Sequence, residues 1–194
     1  LVIFKKYKFE KINLYQRIIT VLSGYIILPI VVSLPYYLCI EKISLINCYF
    51  EAISGFTSTG FTIFNNLEQL DQTLIMWRSG SQWIGGLYFL FSILLLIDVF
   101  DENLKRSLTN YISLNSSEIF RQVFKIIIIY LSMTILIFML LKLVNLRSYD
   151  AYNYSLTIIS SGGFLPNDNF DLTFVTDLSK IILSISMLFS FFSL

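Results

Sequence analysis

Long apolar runs alternate along the chain with short polar breaks. From Ile18 to about Ile40 no residue is charged, which is enough to cross about 30 Å of hydrocarbon as a helix. Pro29 and Pro35 lie inside this run; neighbouring helices can satisfy the carbonyls they free, so a kinked span is expected rather than a broken one. A second run starts at Trp77–Gly86 and ends near Ile97. A third covers Ile126–Leu141, begun near Phe120 and ended by Lys142, and a fourth starts at Asp177 and stops with the chain at Leu194, as a truncated last helix. The pattern predicts four spanning helices.

Two shorter runs interrupt this rhythm. Phe50-Glu51-Ala52-Ile53-Ser54-Gly55-Phe56-Thr57-Ser58-Thr59-Gly60-Phe61-Thr62 is too short to span and too apolar for an ordinary loop, so it reads as re-entrant. A weaker copy follows in Tyr152-Asn153-Tyr154-Ser155-Leu156-Thr157-Ile158-Ile159-Ser160-Ser161-Gly162-Gly163-Phe164. Laying Gly60 on Gly162, an offset of 102 residues, also pairs Ser58 with Ser160 and Asn65 with Asn167. The fold class is therefore an all-α membrane protein built of two helix–re-entrant loop–helix units, with short pore helices at 45–56 and 150–159. The first unit covers 18–97 with its re-entrant part at 45–62, and the second covers 120–194 with its re-entrant part at 150–164. A basic segment, 1–17, precedes them and a polar linker, 98–119, joins them.

Composition supports the membrane class: 56% of the 194 residues are hydrophobic and 14% charged, with a mean hydropathy of +0.72. The charges set a topology. The N-terminal segment and the 98–125 stretch hold nine lysines and arginines against five acids, and the opposite side holds five against eight. The positive-inside rule puts the first side in the cytoplasm and both re-entrant mouths outside, where the acidic balance concentrates cations. A net charge of +1 implies no nucleic-acid partner, and the absence of histidine removes the commonest transition-metal ligand. Cys39 and Cys48 are too few for a disulfide framework or a zinc site. No paired intramembrane carboxylates, Cys/His pair or phosphate-binding glycine loop is present, so neither an enzyme nor a cofactor is expected.

The short runs carry the chemistry. A cation leaving water must exchange its hydration shell for oxygen dipoles, which rings of backbone carbonyls supply for potassium. Turning consecutive carbonyls to one axis takes the backbone through positive φ, where glycine carries little penalty. Hydroxyl residues add oxygens, and a short helix ending at the loop aims its negative end at the cation. Thr57-Ser58-Thr59-Gly60 and Ser160-Ser161-Gly162-Gly163 supply those residue types. Either run alone would read as a helix C-cap glycine after a hydroxyl-rich turn. Its recurrence in the same membrane register favours the ion-handling reading.

Phe50–Gly60, then Trp77-Arg78-Ser79 with Gln82-Trp83-Ile84-Gly85-Gly86, then Thr157–Phe164 resemble, in order, motifs of the TrkH/KtrB family of potassium transporters, and Gln16-Arg17 through Leu34-Pro35 is similar to the lead-in to that family's first hairpin. The resemblance covers nearly the whole chain but about half of a family member. It implies four concatenated hairpins around one pore, each giving a glycine to the selectivity filter. Gly60 and Gly162 would be the first and second of these, Thr57, Ser58, Thr59, Ser160 and Ser161 their oxygen-bearing neighbours, and Gly163 part of the same filter. The implied function is potassium uptake across a bacterial cytoplasmic membrane, as a multi-pass translocating subunit. The implied partners are the potassium ion, the bilayer, a second half-pore chain or further copies of this one, and a cytosolic nucleotide-binding regulatory subunit. Tyr88 departs from the small residue the family has there, and the third and fourth hairpins have no counterpart. The chain opens on Leu1, and a partial pore is the expectation. The alternative is a truncated or split-gene membrane protein without transport activity of its own.

Overall fold

The computed structural model describes residues 14–96, 116–168 and 173–192. Most of the basic segment 1–17 and of the linker 98–119 therefore lies outside the described residues. The described residues form six α-helices: α1 (Leu14–Cys39), α2 (Leu45–Phe56), α3 (Gln72–Leu96), α4 (Ser116–Leu143), α5 (Ser148–Ile159) and α6 (Asp177–Phe192).

The long apolar runs become long helices. α1 continues through both Pro29 and Pro35, as the membrane reading of its prolines expects. Three helical stretches among the described residues, Leu14–Cys39, Gln72–Leu96 and Val123–Leu143, are long and apolar enough to cross a membrane. Of the fourth expected span, the described residues show the first 16 as α6, Asp177–Phe192. Large apolar side chains on the outward faces, such as Ile26 and Val31 of α1 and Phe124 and Met139 of α4, are more than half exposed, as lipid-facing positions should be.

The two short runs become 12-residue helices set between long ones. Ser44 starts α2 by accepting a hydrogen bond from the Asn47 amide at 3.2 Å. α5 begins with a bidentate ion pair between Arg147 and Asp150, at 3.2 Å. Its Tyr149 hydroxyl donates to the Gln72 carbonyl at 2.5 Å, tying the start of α5 to the start of α3. Burial pushes the Tyr149 phenol above its ordinary pKa.

α3 is the shared wall. It packs on α1 and α2 to one side and on α4 and α5 to the other. A first apolar core joins Val32 and Tyr36 of α1 to Cys48, Ala52 and Phe56 of α2 and Leu74 of α3. A second gathers Tyr130, Ile137 and Leu141 of α4, Tyr154 and Ile158 of α5 and Leu183 of α6, with Trp83 and Leu87 of α3 against it. Trp77 and Trp83 look from sequence like membrane-interface anchors, yet both turn inward. Trp77 Nε1 donates to the Val32 carbonyl at 3.0 Å and Trp83 Nε1 to Thr134 Oγ1 at 3.1 Å. Each indole thereby ties α3 to one neighbour. Gly85 allows closer approach still: a Cβ there would overlap the Phe56 carbonyl oxygen, so the end of α2 rests directly on α3.

Candidate functional site

Both short helices end in the same way. In the first, Thr57 is the C-cap, the Ser58 amide donates to the Gly55 carbonyl at 2.9 Å, and the Thr59 amide reaches back to the Ser54 carbonyl at 2.9 Å. In the second, Ser160 is the C-cap, the Ser161 amide donates to the Ile158 carbonyl at 2.9 Å, and the Gly162 amide to the Thr157 carbonyl at 2.8 Å. Ser58 and Ser161 share a left-handed φ of 55° and 54°. Every one of these pairs lies 103 residues apart, as do the helix boundaries themselves. The offset of 102 suggested by residue identities is therefore corrected by one. Gly60 corresponds to Gly163, not to Gly162, and Ser58 to Ser161, not to Ser160.

Gly60 adopts φ 81°, a backbone region costly to any residue with a side chain. A Cβ on it would lie 2.5 Å from the Gly163 Cα, so the two loops touch backbone to backbone at these glycines. Gly162 and Gly163 do not share the positive φ. Thr57, Thr59, Ser161 and Gly163 are exposed, and Ser58, Gly60 and Gly162 partly so. Ser160 is different: it is buried, and its hydroxyl donates to the Leu156 and Thr157 carbonyls at 3.0 Å. Thr57 Oγ1 likewise returns to the Ile53 carbonyl at 2.7 Å while contacting Thr59 Oγ1 at 2.7 Å. Beside the loops lies a cavity of about 210 Å³, lined by Tyr25, Phe56, Thr57, Ser58, Tyr130 and Ser161 among others.

The loops are held from behind by Glu51, Arg78, Ser54 and Gln82, for which the sequence alone suggests no role. Glu51, fully buried on α2, accepts from Thr62 Oγ1 at 2.9 Å and from the Ile63 amide at 3.0 Å. Its charge is met by Arg78 of α3, equally buried, whose Nε donates to Glu51 Oε1 at 2.8 Å. The remaining guanidinium nitrogens reach Thr62 Oγ1 at 3.1 Å and the Leu165 carbonyl at 3.5 Å, and the guanidinium lies 4.2 Å from the centre of the Phe164 ring. Ser54 adds a bond from its hydroxyl to the Phe61 carbonyl at 2.6 Å. Gln82, also fully buried, faces the second loop. In the amide orientation its neighbours dictate, its oxygen accepts from the Gly163 and Phe164 amides at 3.0 and 3.1 Å, and its nitrogen donates to Thr157 Oγ1 at 3.2 Å. The cue for Arg78 and Glu51 was available, since ionisable residues inside apolar runs are rare and must find partners. At the outer edge, Asp168 Oδ2 accepts from the Leu67 amide at 2.7 Å, joining the segments that follow the two loops.

Apolar helices of spanning length, with two short helices between them whose glycine loops meet, mark a membrane protein. An uncharacterized cation transporter of Methanocaldococcus jannaschii is 31% identical over 183 residues, covering 90% of this chain and 37% of that protein. The Trk system potassium uptake protein TrkI of Halomonas elongata is 28% identical over 158 residues, 79% of this chain and 32% of its own length. The crystal structure of the potassium transporter TrkH from Vibrio parahaemolyticus superposes with a TM-score of 0.74 at 25% identity, over 95% of this chain and 37% of that one. No protein-family model matches the chain. The chain belongs to the TrkH/KtrB family and spans about a third of the length of these relatives, less than the half its motifs suggest.

Proposed function

We propose that the chain forms part of the translocating subunit of a Trk-type potassium uptake system in a cytoplasmic membrane. In this reading α1–α3 and α4–α6 are two pore hairpins within the units 18–97 and 120–194. Their loops give two of the four filter segments that the family resemblance implies. The filter stretches are Thr57–Gly60 and Ser160–Gly163, with Gly60 and Gly163 in equivalent places. The observation that carries this reading is the meeting of those two glycines at the ends of two equivalent short helices. Each helix directs the negative end of its dipole to the loop that follows, which favours a cation. The relatives named for potassium or cation transport support the same substrate class. The partners are then the potassium ion, the bilayer, the chain segments completing the ring, and a cytosolic nucleotide-binding subunit.

Uptake in cells without potassium uptake systems of their own tests this. Grafted in place of the matching segment of the Vibrio TrkH protein, the 194 residues should restore growth at low potassium. Expressed alone they should not, since two loops leave half the carbonyl cage unmade. A graft that reaches the membrane at normal levels yet carries no potassium would refute the reading. Topology is checked separately. Cysteines placed at Asn66 and Asn167 should react with an impermeant reagent on intact cells, and one at Ser107 should not, as the charge asymmetry requires. The reverse labelling pattern would invert the orientation.

A further inference from the structure

Both loops depend on one helix. Arg78 and Gln82 stand one turn apart on α3 and therefore share a face. Through Glu51 and Thr62, Arg78 fixes the segment after Gly60; through the Leu165 carbonyl and the Phe164 ring it also fixes the segment after Gly163. Gln82 binds the Gly163 and Phe164 amides directly. α6 follows the second loop as α3 follows the first, but its sole basic residue, Lys180, is exposed. The first loop is thus braced by the buried pair of Arg78 with Glu51 of α2, and the second by the neutral amide of Gln82 with help from Arg78.

We infer that Arg78 and Gln82 are positioning residues for ion selection: they set the spacing of the two glycine loops against each other without entering the ion's path. The inference rests on the filter reading above and adds to it the residues that tune the filter. A carbonyl cage discriminates between cations through the number and placement of its dipoles. A brace that lets the loops drift apart costs discrimination before it costs binding. Gln82 holds two consecutive amides of the second loop, so its loss frees the peptide units on both sides of Gly163. Arg78 matters through its planar fork, which serves Glu51, Thr62 and Leu165 at once; an ammonium on the same stem cannot reproduce that geometry.

Two measurements test this. The first uses the 194-residue chain in lipid nanodiscs, with Cys39 and Cys48 replaced by alanine and spin labels at Asn65→Cys and Asn167→Cys. The distance distribution between labels should broaden in Gln82→Leu and Arg78→Lys. It should stay narrow in Gln82→Glu, whose carboxylate still accepts from both amides, and in Leu74→Ala, which removes only apolar packing on α3. The second is the ratio of potassium to sodium uptake in the grafted transporter at matched membrane levels. It should fall by about tenfold in Gln82→Leu, the scale of one hydrogen bond felt differently by two ions, and recover in Gln82→Glu. If Gln82→Leu does not insert, Arg78→Lys and Gln82→Glu still decide the outcome. Unchanged distances and ratio in Arg78→Lys, or broadening no greater than in Leu74→Ala, would overturn the inference. If Gly60→Ala also leaves the ratio unchanged, the filter reading itself has failed. If Gly60→Ala shifts it while the α3 variants do not, only the brace has failed.

Discussion

Arg78→Met is expected to destabilise the protein by about 3–5 kcal/mol, because it leaves the Glu51 carboxylate buried and unpaired. Few substitutions elsewhere in the chain should match it. Thermal unfolding in detergent and the amount of protein in the membrane would both register the loss. The companion variant, Glu51→Met, strands the guanidinium and should cost a similar amount. Replacing both together should recover most of the loss, since an apolar pair of similar volume avoids the desolvation of two charges. Recovery should fall short of complete, because the Ile63 amide loses its acceptor and an unmet buried donor costs roughly 1–3 kcal/mol. Strictly additive losses in this cycle would show that the two side chains do not stabilise one another.

Gly60→Ala is expected to lower the ratio of potassium to sodium uptake far more than Gly163→Ala does. At φ 81° an alanine carries a backbone penalty of about 1–2 kcal/mol, and its Cβ would press on the Gly163 Cα at 2.5 Å. Both effects push the first loop away from the second. Gly163 lies outside the positive-φ region, and a Cβ there would meet the Gly60 Cα at 3.2 Å and the Thr59 carbonyl oxygen at 3.6 Å, which a small shift relieves. Ion flux measured for both variants at equal membrane levels checks the order. An equal effect at the two positions would remove the conformational argument for Gly60.

The helices were legible in the sequence because each rests on a local pattern: long apolar runs for α1, α3 and α4, and hydroxyl residues before glycine for the ends of α2 and α5. The register between the two loops was not. The second loop carries two consecutive glycines, so matching by residue identity can slip by one, and chance pairings at Ser58, Gly60 and Asn65 favoured the slip. The backbone resolves it, since the C-cap and the left-handed serine fix the equivalence whatever the side chains. The partners of the bracing residues were hidden for another reason. Arg78 and Gln82 act on partners far along the chain, and a helix pattern carries no record of what lies opposite. The inward turn of Trp77 and Trp83 was hidden on the same account: only the fold shows the carbonyl and the hydroxyl that their indoles meet.

The bond from Arg78 to Leu165 spans 87 residues, and this has a bearing on how the protein is made. At synthesis rates of about 5–20 residues per second, α3 emerges roughly 4–17 s before its last partner exists. Throughout that interval the polar face of α3 has its ion pair with Glu51 but no second loop for Gln82 to hold. A half-satisfied polar face in lipid is costly, so α3 is expected to settle fully only once the second loop has been made. The order of assembly is thereby set by α3: its contacts with Glu51 are available first, and those with the loop after α5 complete them.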